Sequence, residues 1–192
     1  LRLEQEAPQQ GIADATEALA LARQAFADRP AIIAASARLL AVAYEAAARP
    51  TDAEPLLQEQ VSLLQAVPGG DRFALAAAYE QLGNNFVKQL RAADARVWFA
   101  RELDIFEEVL PAADTNRLTE IVLYSQSLAW TDPARVEALY RAVLARQEAD
   151  PASNDKRNWM TIWNLGKSAR SRGDVDAAIA YQRRVIAAMG PG

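Results

Sequence analysis

Apolar residues recur along the chain at helical spacing, in a pattern that repeats about every 42 residues. Each occurrence is built around a small residue, with mostly large apolar residues four and one positions before it and three positions after it. The small residues are Ala41, Gly83, Ser125 and Gly166. Side chains at these spacings lie on one face of an α-helix, so each occurrence predicts one helix.

A second helical pattern recurs with the same period, downstream of the first. It starts from Ala53, Ala95, Val136 and Ala178 and continues through apolar residues three and eight positions later. A small residue on each of two helices lets their backbones approach closely, as an antiparallel helix pair requires. Because the two patterns stay in phase over four units, they predict stacked helix pairs rather than chance matches in an alanine-rich bundle.

Turn and capping residues predict where the second helices begin. Thr51 and Glu54 have the spacing of a capping box in the first unit. Asp132 and Pro133 predict a cap and a first-turn proline in the third unit, where the turn is one residue short. Gly173 predicts a tight turn in the fourth unit.

The pattern predicts nine helices in a single domain. Loops that contain proline separate the units, and an extra helix from Glu17 precedes the first unit. We expect a linker or disordered segment over residues 1–11 and a domain over 12–192, with units at approximately 31–67, 71–109, 114–149 and 155–189. Since the sequence does not begin with Met, we expect a fragment of a longer protein.

The composition supports an all-α domain and disfavours several functions. Hydrophobic residues make up 51% of the chain and alanine is abundant, which favours packed helices. A net charge of -4 argues against nucleic-acid binding. The chain has no Cys and no His, and it lacks a phosphate loop or a metal-spaced cluster, so we expect no enzyme activity, cofactor or metal.

Hydropathy gives a weaker indication of where the protein works. No apolar run has the roughly 18 residues of a membrane span, so no membrane association is expected. We expect a cytoplasmic protein and leave the periplasm open as an alternative.

The units resemble tetratricopeptide repeats, in the 42-residue variant with extended loops found in kinesin light chains and many bacterial proteins. The runs AEPLLQEQV from Ala53 and ALYRAVLARQEADP from Ala138 are similar to the second helix of that variant, and the resemblance covers roughly residues 17–192. It implies an all-α, right-handed superhelical solenoid of about four units plus an extra N-terminal helix.

The resemblance also implies a function. It favours a scaffold or regulatory module that binds proteins or peptides, and the alternative is a structural or self-associating spacer in a larger multidomain bacterial signalling protein. Chaperone-tail binding is disfavoured, because Arg38, Val42 and Glu80 do not match the basic clamp of the family members that bind such tails.

The first helices of such a stack line an inner groove. The fourth unit stands out there, because Trp163 precedes Lys167 and Arg170, and Asn164 takes the place of a groove asparagine of kinesin light chains. An aromatic anchor beside two cations predicts an acidic, partly apolar peptide. The predicted groove residues are Arg38, Glu80, Asn84, Gln126, Met160, Trp163, Asn164, Lys167 and Arg170.

The alternatives at this end of the chain stay open. Trp163 could instead pack under a further helix, with the two cations forming an ordinary solvated face. The last helix is predicted to expose Ile179, Val185 and Ile186, and this apolar face would suit a homodimer.

Overall fold

The protein is described by a computed structural model that covers residues 2–152 and 154–190. These residues form nine α-helices and two short 3₁₀ segments, with no β-strand among them, so the predicted all-α class and helix number are confirmed. The α-helices are α1 Arg2–Ala25, α2 Pro30–Ala46, α3 Pro50–Gln65, α4 Arg72–Lys88, α5 Ala92–Val109, α6 Thr115–Ser125, α7 Pro133–Glu148, α8 Trp159–Ser171 and α9 Val175–Met189. The 3₁₀ segments are Leu110–Ala112 and Gln126–Trp130. None of the described helices is both long and apolar enough to cross a membrane.

The helices belong to two compact units, the first ending at Ile105 and the second beginning at Phe106. In the first unit, α2 packs on α1 and α3, and α4 packs on α3. In the second unit, α7 packs on α6, and α8 packs on both α7 and α9. Within each unit, consecutive helices therefore form the adjacent pairs that the repeated pattern predicts.

Two small residues of the pattern, Gly83 and Gly166, lie against a side chain of the partner helix. A Cβ atom at Gly83 would lie 2.5 Å from the ring of Phe99, which is itself fully buried on α5. The corresponding contact at Gly166 is looser, with the Cβ of Tyr181 at 3.3 Å. Glycine at position 83 therefore provides the space for an aromatic ring on the partner helix.

Three first helices end in the same way, on a residue in the left-handed backbone region. Ala48, Leu90 and Gly173 have φ angles of 56°, 61° and 79° and occupy equivalent places after α2, α4 and α8. The next amide donates to a carbonyl five residues earlier in each case, as in Arg49 to Tyr44 at 2.9 Å. This is the Schellman arrangement, which satisfies carbonyls at the end of a helix.

The third repeat unit lacks this ending because its turn is one residue shorter. The 3₁₀ segment Gln126–Trp130 follows α6 instead, and Asp132 then caps α7, accepting a hydrogen bond from the amide of Arg135 at 3.0 Å. The predicted cap at Asp132 is confirmed. Asp174 likewise caps α9, with the amide of Ala177 at 3.0 Å.

The predicted capping box of the first unit is wrong. Helix α3 begins at Pro50 with Arg49 as its N-cap and no capping side chain, so Thr51 and Glu54 do not form the expected capping box. The ring of Pro50 presets φ for the first helical position and starts the helix one residue before Thr51.

The N-terminal segment also differs from the expectation of a linker or disordered stretch. Helix α1 begins at Arg2 and includes Pro8, so residues 2–11 are helical. Arg, Leu, Glu and Gln are good helix formers, which favours a helix on both sides of Pro8. Further along α1, Ala15 and Leu19 form a core cluster with Ile33, Ala37 and Leu40 of α2.

Candidate functional site

The nine predicted groove residues are distributed over both units. Arg38 on α2 is exposed, and Glu80 and Asn84 on α4 are half-buried. Gln126 is exposed at the start of a 3₁₀ segment. The other five lie on α8, which is therefore the helix where the prediction is concentrated. On α8, Trp163, Lys167 and Arg170 are exposed, Met160 is half-buried and Asn164 is buried.

An open groove of about 440 Å³ lies between α8 and α9. We call it the α8–α9 groove, and it is lined by Trp163, Gly166, Lys167, Arg170, Val175, Ala178, Ile179 and Gln182. The structure thus brings three of the predicted residues together on one wall. The opposite wall comes from α9, where Val175 is 63% exposed and Ile179 is 44% exposed.

The α9 wall was not assigned to this site from the sequence. Ile179 was expected to be exposed, but only as part of a face for self-association. Val175 and Gln182 carried no signal, because periodicity identifies the face of a helix without showing which neighbouring helix shares a groove with it.

The groove is cationic. Its lining contains Lys167 and Arg170 and no acidic residue. Neither side chain forms an ion pair within the part of the chain that the structure describes. By contrast, nearby Arg172 pairs with Glu137, and Arg184 lies 2.6 Å from Asp155. The Arg184 guanidinium donates hydrogen bonds to Asp155 and lowers the pKa of that carboxyl. Lys167 and Arg170 are therefore available to a partner.

Asn164 does not contribute to the groove, contrary to the prediction. Its side chain is buried, and it is absent from the groove lining. Successive residues of an α-helix are about 100° apart around the axis, so the position after Trp163 faces the protein interior. The amide that was expected to hold a peptide backbone is consequently not available at this surface.

In the first unit, Glu80 and Asn84 belong to a different arrangement, centred on a buried carboxyl group. Glu102 on α5 is fully buried, and neither of its oxygens has a hydrogen-bond partner among the described residues. Burial, with the negative charge of Glu80 as a second cause, raises the pKa of Glu102 to about 9. Burial also raises the pKa of Glu80, opposed by a hydrogen bond from Asn84.

The Glu102 arrangement was missed from the sequence, although the repeat contains a signal. Gln60, Glu102, Val143 and Val185 are equivalent residues seven positions after the small residue of each second helix, and all four are buried. A carboxyl at a position that is otherwise neutral indicates a protonated acid. Asn84 is engaged with Glu80, so this predicted groove residue belongs to the carboxyl arrangement.

No metal site accompanies these groups in the described residues, where no three acidic side chains gather closely enough to hold an ion. Two carboxyls and an amide, one of the carboxyls fully buried, give too few oxygen ligands for Ca²⁺ or Mg²⁺.

Comparison with known proteins agrees with the repeat pattern. Residues 32–108 match the family model of the tetratricopeptide repeat. The crystal structure of BtubC (BKLC) from P. vanneervenii is similar with a TM-score of 0.66 and 22% identity, over 95% of this chain and 73% of that one. The nearly identical TPR-like repeats of kinesin-light-chain type from Podosopora anserina give a TM-score of 0.63 and 18% identity, over 98% and 94%. No curated protein is similar to this chain in sequence.

The family match covers the first two repeat units, α2 to α5, and the structural likeness extends over the remaining helices. The repeated pattern, the paired helices and the two kinds of comparison lead to one conclusion. Residues 32–108 match the tetratricopeptide repeat family, and the chain has a fold like that of kinesin-light-chain-type repeats.

Proposed function

We propose that this protein is an interaction module that holds a segment of a partner protein in the α8–α9 groove. One observation carries the proposal: Trp163, which is 42% exposed, lines a groove beside two cations that have no ionic partner among the described residues. Tetratricopeptide repeats are in general protein-interaction scaffolds, so the fold is consistent with this function.

The chemistry of the groove favours an acidic and partly apolar partner. Tryptophan and arginine are the residues most enriched where binding energy concentrates in protein interfaces. The guanidinium of Arg170 can hold a carboxylate with two parallel hydrogen bonds, and Lys167 adds a second positive charge. Val175 and Ile179 supply apolar surface on the opposite wall. Met160, half-buried one turn before Trp163, would extend the contact along α8.

A second candidate function is self-association through α9. Ile186 is 60% exposed, whereas the equivalent residues of the other second helices, Val61, Leu103 and Leu144, are buried. Covering such a face would contribute roughly 25 cal/mol for each Å² of apolar surface removed from water. This alternative predicts a dimer that weakens when Ile186 is replaced by a polar residue.

Capture of a partner tests the proposed function. The chain is immobilised, and the proteins that it retains are identified. Binding of each retained protein is then compared between the wild-type chain and the variant Trp163→Ala with Arg170→Glu. We expect a specific partner to be lost by this variant, because both the apolar anchor and the carboxylate-binding donor are removed. Trp159→Ala is the matched control, since Trp159 is an exposed tryptophan on α8 outside the groove. A partner retained equally by all three proteins would contradict the proposed site.

A further inference from the structure

The structure itself contains grooves of the same kind that are already occupied. In the first unit, α4 packs against α3 and also contacts α2. The side-chain amide of Asn85 donates to Glu45 at 2.9 Å and to the carbonyl of Pro50 at 3.0 Å. Lys88 lies 2.6 Å from the other oxygen of Glu45. A first helix thus occupies the groove formed by the preceding helix pair.

The same joint has a second ionic contact on α3. Glu54 accepts hydrogen bonds from Gln89 at 3.0 Å and from Arg91 at 2.8 Å. In the second unit, the equivalent of Glu54 is Glu137, which pairs with Arg172 directly after α8. In these two grooves, the helix pair therefore supplies at least one carboxylate, and the segment that enters supplies cations or amide donors.

The α8–α9 groove has the same place in the repeat but the opposite chemistry. Counting from the small residues, Arg170 occupies the place of Glu45, four positions after Gly166. Ile179 occupies the place of Glu54 and Glu137, one position after Ala178. The two carboxylates that hold α4 in the first unit, Glu45 and Glu54, are replaced by a cation and an apolar residue.

We propose that the α8–α9 groove receives an acidic amphipathic α-helix of a partner protein, seated as α4 is seated on α2 and α3. This inference rests on the proposed function and adds the conformation and charge of the bound segment. The partner helix presents carboxylates one turn apart toward Arg170 and Lys167, where α4 carries Asn85 and Lys88. Its apolar stripe covers Trp163 and the α9 wall.

Charge complementarity separates this occupant from the α4 helix of a second copy of the chain. A helix with the charges of α4 would bring a lysine against Arg170, and like charges in a partly desolvated contact repel each other. The α8–α9 groove therefore disfavours a helix with the basic and amide side chains of α4, which the α2–α3 pair binds.

Synthetic helices derived from α4 test the proposal directly. One fluorescent peptide has the sequence of residues 72–91, and a second carries Asn85→Glu and Lys88→Glu. Anisotropy titration with the 192-residue chain measures the affinity of each. We expect the acidic peptide to bind at least about tenfold more tightly than its parent, because its carboxylates meet Arg170 and Lys167.

A swap of the groove's charges provides the complementary measurement. The double variant Arg170→Glu with Ile179→Glu places carboxylates at the positions equivalent to Glu45 and Glu54. We expect it to lose at least about tenfold in affinity for the acidic peptide and to prefer the parent peptide. Arg183→Glu, at an exposed position of α9 outside the groove, is the matched control and should change neither affinity. Circular dichroism checks that all variants keep their helix content.

Three results would overturn the inference. Equal affinity for the two peptides, or no binding of either, would show that charge does not select the occupant. Equal binding of an acidic peptide carrying Leu82→Pro, which breaks the helix, would show that the segment binds extended; the proposed function would survive this result. Sedimentation that shows a dimer abolished by the double variant would identify a second copy as the occupant.

Discussion

Glu102 shows how a single buried carboxyl makes stability depend on pH. With its pKa raised from 4.5 to about 9, this group binds a proton in the folded state that it releases in the unfolded state at neutral pH. The unfolded state then binds fewer protons, so the free energy of unfolding falls as pH rises from about 4.5 to about 9. The slope from this one group is at most about 1.4 kcal/mol per pH unit.

Replacing Glu102 with Gln should remove this contribution. We expect Glu102→Gln to have nearly the stability of the wild type close to pH 4.5 and to be more stable by roughly 2 kcal/mol or more at pH 8. Denaturant unfolding at several pH values measures the difference. Glu17→Gln, at an exposed position of α1, is the control and should leave the dependence of the free energy of unfolding on pH unchanged. Parallel pH profiles for wild type and Glu102→Gln would show that the carboxyl is ionised in the folded protein.

At the scale of single helices, the endings of α2, α4 and α8 can be compared because they share one geometry. A side chain with a Cβ is strained at positive φ, and glycine is not. The fourth unit has Gly173 at this place, whereas the first two have Ala48 and Leu90. These two residues retain the conformation because the Schellman hydrogen bonds and the packing of the following helix impose it.

Introducing glycine at these helix ends should therefore stabilise the protein. We expect Ala48→Gly and Leu90→Gly each to raise the free energy of unfolding by up to about 1 kcal/mol, and Gly173→Ala to lower it by a similar amount. Ala47→Gly is the control, since Ala47 has φ of -83 and gains nothing from glycine. Chemical denaturation measures all four. If Ala48→Gly and Leu90→Gly both lower the free energy of unfolding, the wild-type residues are not strained at their positive φ angles.

The sequence predicts the number and pairing of the helices, but it does not predict every helix start or which residues a neighbouring helix covers. Helix number and pairing follow from apolar periodicity, since the patterns around Gly83 and Ala95 recur in phase on consecutive helices. The start of α3 was misplaced because a first-turn proline and a capping threonine compete over one residue. Glu102 and the α9 wall were missed because burial depends on which neighbour covers a face, and a single period does not contain that information.

At the scale of the whole molecule, burial differs strongly between helices of one unit. Helix α7 has seven buried residues, whereas α9 has one, Val185, and the predicted exposure of that residue is wrong. Val185 faces inward because it lies seven positions after Ala178, on the side of α9 that packs on α8. Most other apolar residues of α9 remain in contact with water, as Ile186 does.

Hydrogen exchange should reveal this difference. We expect backbone amides of α9 to exchange at least about tenfold faster than those of α7, because few apolar contacts oppose local opening of α9. Mass spectrometry of peptic fragments measures both helices in one experiment, and α7 serves as the internal reference. Equal protection of the two helices would mean that the second unit opens only as a whole.

The contact between Gly83 and Phe99 makes the helix pair, rather than the single helix, the smallest part of this chain that could be exchanged between proteins. The ring occupies space that only a residue without a side chain leaves free, so neither helix of that pair would tolerate a partner from another unit unchanged. Recombination of such repeats, in evolution or in the laboratory, would preserve this fit if it exchanged helix pairs and disrupt it if it exchanged single helices. The joints between pairs, which include ion pairs such as that of Lys88 with Glu45, would then be the places where new specificities are most easily introduced.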